Sequence, residues 1–417
     1  MFVKNIKSAV SLLTVSALGT VFGVSLSLLD VFGPLRLGTL RFFTSLGIEG
    51  LAGTDPAVLL RIVLPTLASL GIFLVAYFLN IKFNFIRTTI FMVFAASLAV
   101  GSFLFLVLPS TSDLAEAEVQ EVPLVDSKLA RVSGQINVVH IFFEALPASL
   151  SSGNQPFDLL SHGVEGWQEG AGLAQLPGHQ FTIAGIASSL CGSKFPLEGF
   201  NDGSSPNFLM GSQLCVMDNL REAGYSSTFM QAASGYFQGK REFFAEHQTR
   251  MLAGELWEQL GVLEKTSWGY SINDEQLLER AKSVIRGLEA DEDPYFLSLL
   301  TVDTHPPFYV PSGCNAAVPN NSADSYRCTM ESVRDLLRWM QLRGFSDNTL
   351  ILMQGDHLPT AGVAATDLIY FGYKAPNACP TAMDDLEQPA NTAGIKSFTL
   401  QALAACDAEL SLNPSLD

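Results

Sequence analysis

The chain has 417 residues, 48% of them hydrophobic and 16% charged, with 24 Lys/Arg against 41 Asp/Glu and a formal net charge of −17. Such acidity excludes nucleic acid as the expected partner, because a phosphate backbone is held by a basic surface. The charge is unevenly spread: Met1 to Ser110 holds seven basic and three acidic residues, leaving 17 and 38 for the rest, so an apolar, mildly basic first quarter precedes an acidic domain whose charge suits solubility.

Three stretches in that first quarter, at about residues 8–29, 62–81 and 88–110, carry no charge. Each reaches the roughly 20 residues that a helix needs to cross a bilayer. The spacing predicts a transmembrane region over residues 1–112. The first stretch exceeds the roughly 7–15 apolar residues of a cleaved signal, which predicts a retained helix. Lys4 and Lys7 precede the first span, and Lys82 and Arg87 lie between the second and third. The preference of basic loops for the cytoplasm then puts the N-terminus inside and everything after the third span outside. For a bacterium this is a multi-pass inner-membrane protein with a periplasmic domain. The segment Phe32 to Leu51, with Arg36 and Arg41 among apolar residues, suits an interfacial helix.

Residues 113–133, with Glu116, Glu118 and Glu121, read as a polar linker to a domain over 134–417. All six cysteines fall in that domain, and no C-x-x-C pair is present. An even number suits disulfides in an oxidising compartment. Sequential pairing is expected: Cys191 with Cys215, Cys314 with Cys328, and Cys379 with Cys406. The middle pair is the firmest, because only a short loop-like segment separates its members.

Within the domain, strand-like and helix-like patterns alternate. Asn137 to Phe143 is a β-type apolar run. Gln213 to Glu222 has helical spacing, and Tyr225 to Met230 is strand-like. Asp274 to Leu288 is an amphipathic helix, and Tyr295 to Val302 a buried strand. Ala323 to Arg343 is a long helix stopped by Gly344. Thr349 to Met353 and Leu368 to Tyr373 are strands, and Thr399 to Cys406 is a last helix. This alternation predicts an α/β domain with a mostly parallel sheet between helices. Ligands of such sheets sit at the carboxyl ends of the strands.

Three predicted strands end in chemistry-bearing residues: Glu144, then Asp303-Thr304-His305, then Asp356-His357. Two carboxylates and an imidazole suit a divalent cation, Mn²⁺, Zn²⁺ or Mg²⁺. Each of these residues alone would more often be a satisfied structural group; their recurrence at strand ends points to a site. In Phe181 to Ser189 (FTIAGIASS) the small residues suit a tightly packed helix start. Thr182 would lie near its N-terminus, where N–H groups and the helix dipole favour an anion. By itself Thr182 reads as an N-cap; beside a cation its hydroxyl becomes a nucleophile.

Together NVVHIFFEAL, FTIAGIASSLCG, YFLSLLTVDTHPPF and LILMQGDHLP resemble the metal-site motifs of the alkaline phosphatase/sulfatase superfamily. FTIAGIASSLCG, Cys215 to Phe244 and Trp268-Gly269-Tyr270 resemble the phosphoglycerol transferase I group, which acts on osmoregulated periplasmic glucans. The lipoteichoic acid synthases are more distant relatives of similar layout. The resemblance implies an alkaline phosphatase-like fold and one divalent metal ion, with Mn²⁺ favoured. It implies Thr182 as nucleophile and metal ligand, with Glu144, Asp356 and His357 as the other ligands. His305 would contact the phosphate or leaving group, and Lys240 or Arg241 would hold the glycerophosphate. The implied reaction moves phosphoglycerol from phosphatidylglycerol, through a covalent threonine, to a periplasmic or cell-surface glycan.

Other readings stay open. A phosphoethanolamine transferase shares the threonine chemistry. A sulfatase or phosphodiesterase-type hydrolase shares the superfamily, although Cys191-Gly192-Ser193-Lys194 lacks the proline and arginine of the C/S-x-P-x-R maturation motif. A non-catalytic membrane scaffold retaining the fold is the reading from another class. The acceptor and the oligomeric state are left open.

Overall fold

The computed structural model describes residues 19–20, 67, 70–71, 74, 136–150, 160, 163–177, 179–195, 213–235, 237–266, 269–291, 293–305, 308–314, 322–359 and 367–412. The chain forms two compact units, 1–118 with 197–201, and 119–196 with 202–417. In the first, residues 19–20, 67, 70–71 and 74 are helical. The spans expected at 8–29, 62–81 and 88–110 and the linker at 113–133 otherwise lie outside the described residues. Among the described residues, no helix is long and apolar enough to cross a membrane.

The second unit is built on a seven-stranded sheet. Its order is β2 (Trp167–Glu169), β9 (Phe371–Lys374), β8 (Thr349–Gly355), β1 (Asn137–Phe143), β7 (Tyr295–Leu300), β3 (Ser226–Gln231), β4 (Arg250–Leu252). Every residue of β1, β7 and β8 is buried. That explains why these strands read as continuous apolar runs, the mark of a parallel sheet covered on both faces. The four pairings from β8 to β4 are parallel. β8–β9 and β9–β2 are antiparallel, so the sheet is mixed, mostly parallel as expected, with its antiparallel pairings at the β2 edge. An antiparallel neighbour needs no crossover helix, and the 15 residues between β8 and β9 hold no described helix. A separate hairpin joins β5 (Glu264–Thr266) and β6 (Gly269–Ser271).

One face of the sheet is covered by α5 (Asp274–Ala290) and α6 (Ser322–Leu342). Leu277, Leu278, Ala281 and Ile285 of α5 and Val333, Leu336, Leu337 and Met340 of α6 share a core with Val139, Ile141, Phe143, Leu297 and Leu299. Fully burying one such side chain is worth about 2 kcal/mol. α5 starts at a reciprocal cap, in which Gln276 N donates to Asn273 Oδ1 (2.9 Å) and Asn273 N to Gln276 Oε1 (3.2 Å). The opposite face carries α1 (Thr182–Cys191) and α7 (Gly394–Leu412). Gln354 Nε2 of β8 donates to Ser189 Oγ of α1 at 2.6 Å, and Phe398 of α7 packs edge-on to Phe371 of β9. Three short helices, α2 (Val216–Glu222), α3 (Lys240–Glu246) and α4 (Gly254–Gln259), flank the β3–β4 edge.

The three disulfides are Cys191–Cys215, Cys314–Cys328 and Cys379–Cys406, the sequential pairing expected from the sequence. The first ties the end of α1 to the residue that begins α2.

Candidate active site and metal centre

β1 and β8 are parallel neighbours in register, with Phe143 opposite Gly355. The residues that follow each strand, Glu144 and Asp356, therefore emerge side by side although 212 positions apart in the chain. A set of hydrogen bonds fixes the turn after β1. Glu144 N donates to Thr301 Oγ1 (3.0 Å), Thr304 Oγ1 to Glu144 O (2.7 Å), and Tyr326 Oη to Ala145 O (2.7 Å). Ala145 N donates to Asp356 Oδ1 (2.8 Å). Ala145 sits at φ 53°, a left-handed conformation that costs a non-glycine residue about 1 kcal/mol. The surrounding bonds hold it there.

Thr182 is the first residue of α1, after Phe181 in extended conformation. All ten residues of α1 are buried, which its small side chains allow. A β-carbon on Gly185 would meet Asp356 O at 1.8 Å, so only glycine lets the helix backbone rest on the strand end. That approach brings Thr182 Oγ1 within 3.4 Å of Glu144 Oε2.

Glu144, Asp356 and His357 offer ligand atoms within 4.8 Å of one another, all buried. His357 Nδ1 lies 2.8 Å from Leu358 O, a partner that can only accept, so Nδ1 carries a proton. Nε2 faces Glu144 Oε1 at 3.4 Å and Asp356 Oδ2 at 3.5 Å. Neither Glu144 Oε1 nor Asp356 Oδ2 makes a hydrogen bond. Burial works against charge throughout this cluster. It pushes Asp356 up to about 7, with Glu144 adding repulsion. Burial opposes ionisation of Glu144 too, but His357, His305 and Lys240 outweigh it and bring the carboxyl down to about 2. Burial disfavours the His357 cation, yet Asp356 and Glu144 overcome that and raise it to about 10. Two inward carboxylate oxygens without hydrogen bonds, beside an imidazole whose far nitrogen is fixed by a carbonyl, form a set that could hold a divalent cation. The residues fit the metal that the sequence implied.

The remaining expected residues separate into two settings. Lys240 is 2% exposed, its charge acts on Glu144, and Glu144 and Asp356 both act on it. Burial lowers it to about 8 against the pull of those carboxylates. Arg241, its neighbour, turns to Glu255 (3.4 Å) instead. His305 follows β7, its N–H donating to Val302 O, and its charge reaches Glu144.

Several contributors were not evident in the sequence. Asp274, at the start of α5, accepts from Val302 N (2.8 Å), Asp303 N (3.0 Å) and Thr329 Oγ1 (2.9 Å), while Asp274 N donates to Asp303 Oδ2 (2.9 Å). This clamp holds the chain just before His305. Burial raises Asp274 to about 6 and lifts Asp303 as well, with Asp274's charge the next cause there. Gln238, between β3 and α3, accepts from Ile183 N at 2.9 Å. Asn273-x-x-Gln276 signals a helix start, but nothing in it reports that the next aspartate reaches across to β7.

The family model for sulfatases matches residues 137–381. Phosphoglycerol transferase I of Citrobacter koseri is 29% identical over 239 residues, covering 54% of this chain and 31% of that protein. The protein of that name from Salmonella arizonae is 29% identical over 241 residues, again covering 54% and 31%. The chain thus matches under a third of the length of these relatives. The lipoteichoic acid synthase LtaP of Listeria monocytogenes superposes with a TM-score of 0.51 at 14% identity, over 66% of this chain and 73% of that one. At that identity the likeness shows the fold.

Proposed function

The chain belongs to the sulfatase family, and from that premise we propose that it is a metal-dependent phosphotransferase that moves phosphoglycerol from phosphatidylglycerol to a periplasmic or cell-surface glycan. The observation that carries this reading is Thr182 Oγ1 beside Glu144 Oε2 (3.4 Å), at the edge of a buried Glu144–Asp356–His357 cluster. The relatives named phosphoglycerol transferase I favour phosphoglycerol as the group carried.

Glu144, Asp356, His357 and Thr182 Oγ1 would hold one divalent ion, Mn²⁺ by preference. Such an ion supplies acidity to a hydroxyl and neutralises charge on phosphoryl oxygens. Thr182 gives up its hydroxyl proton to solvent, which returns it when the threonine is released, and its oxygen attacks phosphorus. The bond from phosphorus to the diacylglycerol oxygen breaks, and His305 protonates that leaving oxygen. Thr182 now carries glycerophosphate. A hydroxyl of the acceptor glycan attacks the same phosphorus, passing its proton to His305, and Thr182 is released with its proton restored. Lys240 stands where its ammonium offsets phosphoryl charge. A membrane anchor in residues 1–112 would hold the domain beside its lipid donor, and the disulfides suit the periplasm.

A sulfatase would need a modified cysteine or serine as nucleophile. Cys191 is bound to Cys215 at the far end of α1 from Thr182, which disfavours that alternative.

Mass spectrometry of the Mn²⁺-loaded protein after exposure to phosphatidylglycerol tests the proposal. A glycerophosphate adduct on Thr182, absent from Thr182→Ala, is expected. Consumption of lipid with Thr182 unmodified would sink the covalent route.

A further inference from the structure

α1 starts at Thr182, beside the Glu144–Asp356–His357 cluster, and one of its first N–H groups is already taken. Ile183 N, the donor next to Thr182, is bonded to Gln238 Oε1 at 2.9 Å. Gln238 and Gly239 are consecutive residues in left-handed conformation, at φ 58° and 67°. That conformation is unfavourable for glutamine, and it folds the chain back onto the start of α1. Ile183 is fully buried, so its N–H meets a ligand only when the carboxamide withdraws. Gln238 itself is only half-buried.

We infer that Gln238 is a competing cap: its carboxamide oxygen stands in for a phosphoryl oxygen of the substrate and is displaced when that oxygen takes the Ile183 N–H. This rests on the phosphotransferase reading above. Two observations combine to support it. The carboxylate oxygens Glu144 Oε1 and Asp356 Oδ2, buried and without hydrogen bonds, mark where a cation and its anionic ligand would sit, and Thr182 links that point to α1. A helix N-terminus beside a cation is a strong anion site, so a neutral acceptor there is the weaker of two competitors. The cap holds the helix start closed while no substrate is present. It also lowers affinity for any small anion unable to displace it, which discriminates against free phosphate. Lys240, two residues on, is carried by the same turn, so withdrawal of Gln238 and engagement of Lys240 involve one segment.

The test is calorimetric binding of inorganic phosphate to the full-length, Mn²⁺-loaded protein in detergent, comparing wild type with Gln238→Ala, Gln238→Asn and Gln238→Glu. Removing the competitor should tighten phosphate binding about threefold to tenfold in Gln238→Ala, the range expected for one released hydrogen bond. Gln238→Asn, too short to reach Ile183, should move the same way and guards against a folding defect in the alanine variant. Gln238→Glu adds negative charge at the helix start and should weaken phosphate binding. Equal binding by all four proteins, or weaker binding in Gln238→Ala and Gln238→Asn, overturns the inference and leaves the phosphotransferase reading standing. A wild-type protein that takes up Mn²⁺ but binds no phosphate, and forms no adduct on Thr182, overturns both.

Discussion

Gly185 lies so close to Asp356 that a β-carbon on it would stand 1.8 Å from the Asp356 carbonyl oxygen. The nucleophile helix and the strand bearing two candidate ligands are thus joined backbone to backbone. Gly185→Ala must push α1 away from β8 and take Thr182 from Glu144. Overpacking of this kind costs about 1–3 kcal/mol, occasionally more. The expected result is a lower melting temperature with a large loss of transfer activity. A variant as stable and active as wild type would show that α1 does not need this contact.

Glu144 and Asp356 lose different things when changed. Asp356 Oδ1 accepts from Ala145 N and His357 N, both at 2.8 Å, so Asp356→Ala strips a structural partner as well as a ligand. Asp356→Asn keeps an oxygen for those bonds and removes the inward charge. Glu144→Gln does likewise at the first strand end. Both conservative variants should fold with near-native circular dichroism yet retain little metal after dialysis, read by elemental analysis. Native metal content in both would refute the ligand assignment.

The cluster of these candidate ligands was legible because a strand-end carboxylate is a local signal: NVVHIFF runs straight into Glu144, and TLILMQG into Asp356-His357. Parallel register then makes neighbours of residues far apart in the chain. The six cysteines were legible for a related reason, since short separations favour sequential pairs. The antiparallel end of the sheet was not, because a buried strand such as β9 has the same apolar character in either direction. Nor was the contrast between Lys240 and Arg241. Adjacent residues of α3 point different ways, and only the fold reveals that Glu255 lies beside Arg241 while Lys240 is buried near the carboxylates. Gln238 escaped because a polar side chain in a loop gives no hint of the helix it will cap.

Lys240 supplies a pH signature. Burial lowers it to about 8, so its positive charge fades as pH rises through that value. If the ammonium offsets phosphoryl charge, transfer should decline on the alkaline side near pH 8. Lys240→Arg keeps a cation that does not titrate in this range. That variant should lose some activity through altered geometry, but its alkaline decline should move upward. An unchanged profile in Lys240→Arg would remove Lys240 from the reaction.

Asp274 offers a separate test, because it touches neither the candidate metal ligands nor Thr182 through any bond described above. Its carboxylate accepts from Val302 N, Asp303 N and Thr329 Oγ1, and so sets the path of the chain into His305. In Asp274→Asn an NH₂ group replaces one acceptor opposite these donors, leaving a buried donor unmatched at a cost of about 1–3 kcal/mol. The chain before His305 should loosen, lowering kcat with metal content unchanged. The sign of the pH effect follows from burial, which raises Asp274 from 3.8 to about 6 in the folded protein. A carboxyl with a raised folded value contributes stability that is fully present below 3.8 and is lost as pH rises through about 6. Asp274→Asn has no such group, so the difference in stability between wild type and variant should change across pH 4 to 6, roughly the window set by those two values. Denaturant titrations at several pH values measure it. A constant difference across that window would show that the clamp is not strained by its charge, and an Asp274→Asn enzyme with native kcat would show that it is not needed to aim His305.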